Sequence, residues 1–435
     1  MGDYRDELNK RRQARRAQQQ AKARRQRMIL RLIAVVMVLG VSVIGLTMLL
    51  GNFSNGDASA ESSAQTQQTK PTQAKPQEKG DTTVIHLAAA GDVVVTDKTV
   101  KAGKQGKKYD YTNVFMDVLP VLAGADLTVV NFEGNLLGKP YGTESTSAPV
   151  EFAEALKAAG VDLVQMANST VIANGMAGLK TSLSALRETG LEPLGAFADS
   201  QEFQKYKGYT IVNVQGIRIA FAAFTKGMGG LSLPAGSEDC VNLLYTDYAT
   251  TYQEIDKDGI TAVLDNVAKE KPDLTIALVH WGSEYMDQVT DGQKKIAKLM
   301  KENGVDVILG THSHMLHEIE YDELTGQMVA YSLGDLFSDA ERAGTNYSII
   351  LDLEITRDNH SGDTKVSSYS YTPVFTLRED NAPNGQHQVV QLRKAIDAYE
   401  DNFVDRVSKD VYESMEHALS RVPERINPPK KEEKK

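Results

Sequence analysis

Cysteine is almost missing: the 435 residues contain one, Cys240. An intrachain disulfide and any cysteine-based zinc site are thereby excluded, and the fold must rest on core burial. Compositional extremes are absent too. With 41% hydrophobic and 24% charged residues, 34 Gly and 13 Pro, the chain as a whole falls outside the disordered, collagen-like and disulfide-scaffold classes. Positive charge is scarce beyond the N-terminus, because residues 1–31 hold 11 Lys and Arg against 3 Asp and Glu, a local +8. The net charge of −10 therefore leaves −18 on the other 404 residues. A body this acidic repels phosphate backbones, which argues against nucleic acid as a partner and leaves the basic tail to be explained otherwise.

The explanation follows the tail directly. Residues 32–50 (LIAVVMVLGVSVIGLTMLL) are 19 in a row without a charge. As a helix rising ~1.5 Å per residue they cover roughly 29 Å, close to the ~30 Å hydrocarbon layer of a bilayer. Lys and Arg lie on the N-terminal side, which predicts a single-pass membrane protein with residues 1–31 cytoplasmic and the main domain extracytoplasmic. The alternative is a signal peptide cleaved after Ala60, in Ala58-Ser59-Ala60. The apolar run, however, exceeds the roughly 7 to 15 residues of a signal core. No Cys follows it, which excludes a lipoprotein anchor. Residues 51–82 are mostly Ser, Thr, Gln, Lys, Pro and Ala, with too few large apolar side chains for a core, and read as a disordered stalk.

From residue 83 the pattern changes. Apolar runs at 84–90, 126–130, 161–167, 273–279 and 305–310 alternate with helical spacing at 151–160, 178–190 and 293–304, each helix closed by a Gly. Later the period becomes two: 209–214 with 217–224, and 317–333, read as hairpins, and 346–356 and 366–375 as further strands. One α/β domain over 83–378, with parallel and antiparallel strands mixed, fits this order. Residues 388–419 carry apolar positions three or four apart (Val389, Leu392, Ile396, Tyr399, Phe403, Val407, Val411), which predicts an amphipathic helix packed on the domain's own sheet, within a C-terminal segment 379–435 that ends in a charged tail.

The functional signal lies at the downstream end of the apolar runs. They end in Gly91-Asp92, Asn131-Phe132-Glu133, Asn168, His280-Trp281 and Thr311-His312-Ser313-His314. Taken singly, each is ordinary: a lone His is usually a hydrogen-bonded structural group, and Asp or Glu after a strand often caps a helix or turn. Together they are not, because the carboxyl edge of a sheet is where α/β sites are built. His312 and His314, two apart, would share one face of a strand. Asp, Glu, Asn and His without Cys favour a divalent Mn, Fe or Zn, one or two ions, with Glu133 able to bridge a pair.

AAAGDVVV, DLTVVNFEGNLLG, HWGSEY followed by Gln293, GVDVILGTHSH and YSLGDLF, in this order, resemble the bacterial capsule-synthesis CapA family over residues 83–340. The resemblance implies a calcineurin-like metallophosphatase sandwich: two mixed sheets, helices outside, and a two-metal centre at the strand ends. It also implies a role in poly-γ-glutamate capsule synthesis and export, often from one N-terminal anchor. The implied ligands are Asp92, Glu133, Asn168, His280, His312 and His314, with Asn131, Trp281, Glu284 and Asp335 beside them or facing substrate. Departures from the family pattern bear on catalysis. The usual ANNHALDYG stands here as 167–175, ANSTVIANG, so Thr170 replaces the His that would protonate a leaving group and Ala173 replaces an Asp. Thr311 and Asp335 also replace a His and an Asn of the family pattern, and Val94 stands where true metallophosphatases have the His of D-x-H. Two function classes follow. One is a metal-dependent hydrolase of a phosphoester or amide, with His317 or Asp335 as substitute proton donor. The other is a non-catalytic accessory protein binding a polyanionic polymer or envelope synthase subunits.

Overall fold

An unbroken apolar run such as Leu274–His280 needs cover on both faces, and here the cover comes from two mixed sheets packed face to face with helices outside. The computed structural model describes residues 81–339, 341–382, 385–402 and 406–428. The expected basic tail, the membrane span at 32–50 and nearly all of the stalk lie outside the described residues, as do Phe403 and the charged terminus. Among the described residues no helix is long and apolar enough to cross a membrane.

The first sheet begins with β1 (Thr82–Val94). After it come α1 (Asp97–Ala102), the small hairpin β2 (Lys104–Gln105) and β3 (Lys108–Tyr109), and the single turns α2 (Thr112–Phe115) and α3 (Leu119–Leu122). Strands and helices then alternate through β4 (Leu127–Glu133), α4 (Val150–Ala158), β5 (Leu163–Gln165), α5 (Gly175–Glu188), β6 (Glu192–Leu194) and α6 (Ser200–Tyr206). The chain next builds the second sheet from β7 (Thr210–Val214), β8 (Ile217–Thr225), α7 (Lys257–Glu270), β9 (Leu274–His280), α8 (Asp291–Glu302), β10 (Val307–Thr311), β11 (Ile319–Tyr321) and β12 (Met328–Ala330). It returns to the first through β13 (Asp335–Phe337), β14 (Tyr347–Asp358), β15 (Thr364–Leu377) and β16 (Gln388–Gln391), and closes with α9 (Leu392–Glu400) and α10 (Lys409–Ile426). The spatial orders are β16-β15-β14-β1-β4-β5-β6, with β13 also on β1, and β11-β12-β10-β9-β8-β7. In the first sheet β1, β4, β5 and β6 run parallel on one flank and β14, β15 and β16 are antiparallel on the other; in the second, parallel β12, β10, β9 and β8 hold the middle and antiparallel β11 and β7 the two edges.

Alternation explains the double burial. Leu274, Ile276 and Leu278 of β9 join the core between the sheets, while Ala277, Val279 and Trp281 join a second core beneath α7 and α8. α8 starts where Thr290 and Gln293 cap each other, so the motif residue Gln293 is in part a helix-start signal, and its Ile296, Ala297 and Met300 are buried. α7, absent from the sequence expectation, buries Ile260, Val263, Leu264 and Val267 in the same way.

The expected single helix at 388–419 is corrected. Gln388–Gln391 extends as β16 and pairs antiparallel with β15, and two helices follow instead of one. Val389 and Val390 are adjacent and both buried, which a strand between sheet and helix can satisfy. Ile396, Met415, Ala418 and Val422 enter the main core, so the two helices pack on the domain's own sheet.

Candidate metal centre

Strand register brings the polar residues to one level. In the first sheet Asp92 is in register with Asp335 on β13 and Asn131 on β4, and Asn131 with Gln165 on β5. In the second, His280 is flanked by Thr225 of β8 and Thr311 of β10. All of these side chains are buried, and the two rows meet where Asn131 Nδ2 lies 3.5 Å from His280 Nδ1. Gly91 makes the arrangement possible. A Cβ there would stand 1.8 Å from the Gly334 carbonyl oxygen, which instead accepts a 2.9 Å bond from the Asp92 amide. The glycines of AAAGD and YSLGD are thus two sides of one backbone contact.

Two groups of ligating atoms result, Asp92 with Glu133 and His280, and Asp92 with His314 and Asp335, the atoms of each within 4.8 Å of one another. Asp92 is common to both. Asn131 donates to Asp92 Oδ1 at 2.6 Å and to Glu133 Oε1 at 3.2 Å, and Ser169 donates to the other Glu133 oxygen at 3.2 Å. His314 Nδ1 lies 2.8 Å from Asp335 Oδ1, while Ser338 donates to Asp335 Oδ2. Asp92 Oδ2 accepts from the His312 backbone amide at 3.2 Å.

Burial dominates the electrostatics. It pushes the Asp92 carboxyl up to about 6 and Glu133 well above the usual range; Asp335 adds to both shifts and the Asp92 charge to that of Glu133, while His314 pulls both carboxyls down. It pulls His280 well down and His312 down to about 3, so both imidazoles are neutral near pH 7. The 3.6 Å approach of His280 to Glu133 is therefore no ion pair. Burial would lower His314 too, but the Asp335 carboxylate, then Glu133 and Asp92, outweigh it and raise this imidazole well above its ordinary value.

The three histidines converge as expected, with the ring of His312 centred 4.4 Å from His280 and 6.4 Å from His314. Their backbone does not follow the expectation. β10 ends at Thr311, and His312 and His314 both adopt positive φ, +91° and +58°, so a strained turn and not a shared strand face aims them. His312 stands outside both ligand groups, and its Nδ1 has no partner. Asp335 moves the other way, from a position beside the ligands into one of the groups. Asn168 holds Asn131 by donating to its Oδ1, and its own Oδ1 accepts from the Thr170 amide and hydroxyl at 3.1 and 3.0 Å. In this arrangement both lone pairs of that oxygen are used. Trp281 is corrected: its side chain lies on the opposite face of the sheet from His280, bonded to the Tyr331 carbonyl at 2.9 Å and stacked on that ring, and does not line the centre. Glu284 is exposed and acts on the centre's surroundings through its charge on Lys226. His317 binds the Met286 carbonyl and faces a separate cleft beside α10.

Lys226 was missed. It follows β8 at the same edge, its ammonium donates to the Gly282 carbonyl at 2.7 Å and lies 4.4 Å over the Tyr252 ring, and its charge helps hold His280 and His312 neutral. The signal was the end of IRIAFAAF-Thr225-Lys226, a further apolar run closed by a polar residue. Tyr285, stacked on His314 and with the Arg342 guanidinium 4.1 Å from its ring centroid, was missed as well, because loop residues carry no periodicity.

The residues fit a divalent cation. His280 Nε2 and His312 Nδ1 are buried nitrogens without a partner on imidazoles kept neutral, and buried carboxylates of like charge crowd around them. A cation would relieve both costs.

The comparisons agree with this reading of the motifs. The family model described as bacterial capsule synthesis protein PGA_cap matches residues 86–340. The capsule biosynthesis protein CapA of Bacillus anthracis is 28% identical over 259 residues, 58% of this chain and 60% of that protein, so the match spans less than two thirds of the relative. The PGA biosynthesis protein CapA of Bacillus subtilis (strain 168) is 26% identical over 306 residues, 69% of this chain and 74% of that one. Among solved structures, a calcineurin-like phosphoesterase of Bacillus subtilis aligns with 79% of this chain and 98% of its own, at 13% identity and a TM-score of 0.41. With the family model covering more than half of the chain, from within β1, which carries Asp92, to just beyond the YSLGDLF motif, this protein belongs to the bacterial capsule synthesis protein PGA_cap family.

Proposed function

We propose that the protein is a membrane-tethered, extracytoplasmic accessory of anionic polymer synthesis or export, poly-γ-glutamate or a related capsule, that holds a divalent metal and turns over little or no substrate. The observation that carries the reading is a pairing of presence and absence: a buried set of Asp92, Glu133, His280, His314 and Asp335 beside a Thr170 hydroxyl tied to Asn168. Asp92, Glu133 and His280 would hold one ion, and Asp92, His314 and Asp335 a second, with Mn, Fe or Zn suited to such donors. A divalent metal supplies Lewis-acid polarisation of an anionic or carbonyl oxygen. The chain's own residues complete the site: Asn131 orients Asp92 and Glu133, and Lys226 and Arg342 bring positive charge to its surroundings, suited to an anionic group. Thr170 cannot deliver a proton near neutral pH, since its hydroxyl does not titrate there.

The second reading, a metal-dependent hydrolase, is favoured by the convergence of the buried carboxylate and imidazole groups. Metal analysis of the purified protein with a phosphoester and amide screen, with and without chelator, separates the two. Bound metal with negligible turnover is expected, and Thr170→His with Ala173→Asp should raise phosphoesterase rate by about 10² to 10⁴ if the missing acid is the only defect. Robust chelator-sensitive hydrolysis by the unaltered protein refutes the accessory reading. The topology has its own test, because protease added to intact cells should remove the domain beyond residue 50 and leave residues 1–31 protected.

A further inference from the structure

A second site lies beyond the candidate metal centre, in a groove of about 720 Å³ lined by Asp97, Lys101, Lys104, Tyr109, Lys139 and Tyr141. Its walls are α1 with the β2–β3 hairpin on one side and the loop after β4 on the other. These walls leave the strands that carry Asp92 and Glu133. Asp97 lies five positions beyond Asp92 and Lys139 six beyond Glu133, so at ~3.6 Å per extended residue the groove starts within roughly 20 Å of the candidate centre. The walls are clamped together. The Asp97 amide donates to Thr143 Oγ1 and the Thr143 amide to Asp97 Oδ1, both at 3.1 Å, and the Tyr109 and Tyr141 rings meet edge to face at 5.5 Å.

The charge of the groove opposes that of the body around it. Lys107 and Lys108 on the hairpin join Lys101, Lys104 and Lys139, giving five ammonium groups on one exposed stretch of a chain whose residues beyond 31 sum to −18. Lys101 pairs with Glu379 at 3.0 Å, and Glu151 lies near Tyr141. Among the described residues Lys104, Lys107, Lys108 and Lys139 have no ion-pair partner. Lys104 and Lys139 outnumber the single Asp97 carboxylate of the lining, Lys107 and Lys108 add like charge on the hairpin, and a ligand with repeated negative charge is the complement that removes the remaining repulsion.

We propose that this Lys–Tyr groove binds an extended polycarboxylate chain, at a site separate from the metal centre. The groove and its charge stand on their own; the choice of a carboxylate chain over other polyanions rests on the envelope-polymer reading. Pre-clamped walls mean that little ordering is lost on binding, and the tyrosine rings give the polymer backbone apolar contact beside the lysine charges.

The test is titration of full-length, detergent-solubilised protein with poly-γ-glutamate of defined length. Lys104→Glu with Lys139→Glu should weaken binding about tenfold, and Lys104→Arg with Lys139→Arg should retain it. Binding should persist after chelation and weaken as salt rises past ~0.1 M, where screening sets in within ~10 Å. Unchanged binding by the charge-reversed protein overturns the groove. Polyphosphate binding as tightly as poly-γ-glutamate overturns the carboxylate assignment. Capsule loss in cells reports on the accessory role alone, so its failure is distinguishable from failure of the groove.

Discussion

Leu278 and His280 lie two residues apart on β9, turn toward the same opposing sheet, and are buried to 3% and 0% exposure. One is surrounded by apolar side chains from both sheets; the other has a ring nitrogen with no partner and carboxylates as neighbours. The same strands therefore carry two regions of equal burial and opposite chemistry. In the strand bodies, burial itself is the stabilising term, about 1.5–3 kcal/mol for a large aliphatic side chain. At the strand ends burial opposes stability, since an unpaired buried polar group costs about 1–3 kcal/mol and a buried charge more. A bound cation, as proposed above, would offset that cost, and the comparison can be broken or sharpened at three positions.

The largest effect belongs to the strand bodies. Ile276→Ala, deep between the sheets, should cost about 2–5 kcal/mol in urea unfolding while changing metal affinity by no more than a few-fold. A loss of metal binding as large as the loss of stability would show that the two regions are not separable.

Asp92→Asn probes the strand ends. Metal affinity, read by competition with a chelating dye, should fall more than ~100-fold, beyond the 10–100-fold seen on removing groups that merely support a ligand. Stability of the metal-free protein should move the other way. Asp92 titrates at about 6 in the fold against an ordinary 3.8, so its contribution is present below 3.8 and lost as pH rises through about 6. The variant lacks that loss, and its melting temperature should gain on the wild type between pH 4 and 6, with the gap closing when metal is added to the wild type. Equal pH profiles would sink the account.

Trp281→Phe gives the smallest effect and the finest distinction. It removes the bond to the Tyr331 carbonyl, about 1 kcal/mol, from the residue next to His280 but on the other face. Metal affinity should not change, and a clear drop would mean that Trp281 supports the centre after all.

Much of the centre was legible because each ligand closes an apolar run, and a run followed by Asp, Glu or His is visible without knowing the fold. Asp92, Glu133, His280 and His314, which the structure brings into two groups able to hold a metal ion, were singled out in this way. Asp335 was placed beside the ligands because YSLGD ends no long run, and only the pairing of β13 with β1 sets it against Asp92. Trp281 was misplaced because adjacency to His280 in sequence means opposition across a strand. The segment 388–419 shows the limit of periodicity: apolar residues three or four apart also suit a short strand leading into a helix.

The amino-acid order by itself determined the alternation of strands and helices, the acidic domain after a basic segment and an uncharged run, and the polar closures of the apolar runs. These are local properties, set by side-chain polarity against a period of two or 3.6. Which closures meet was decided by tertiary structure. Register aligned Asp335, Asp92 and Asn131 in one sheet and Thr225, His280 and Thr311 in the other, the Gly91–Gly334 contact drew β1 against β13, and positive φ at His312 and His314 aimed their rings. Each depends on the packing of residues distant in the chain, where local sequence carries no record of the distance across which two groups will face each other.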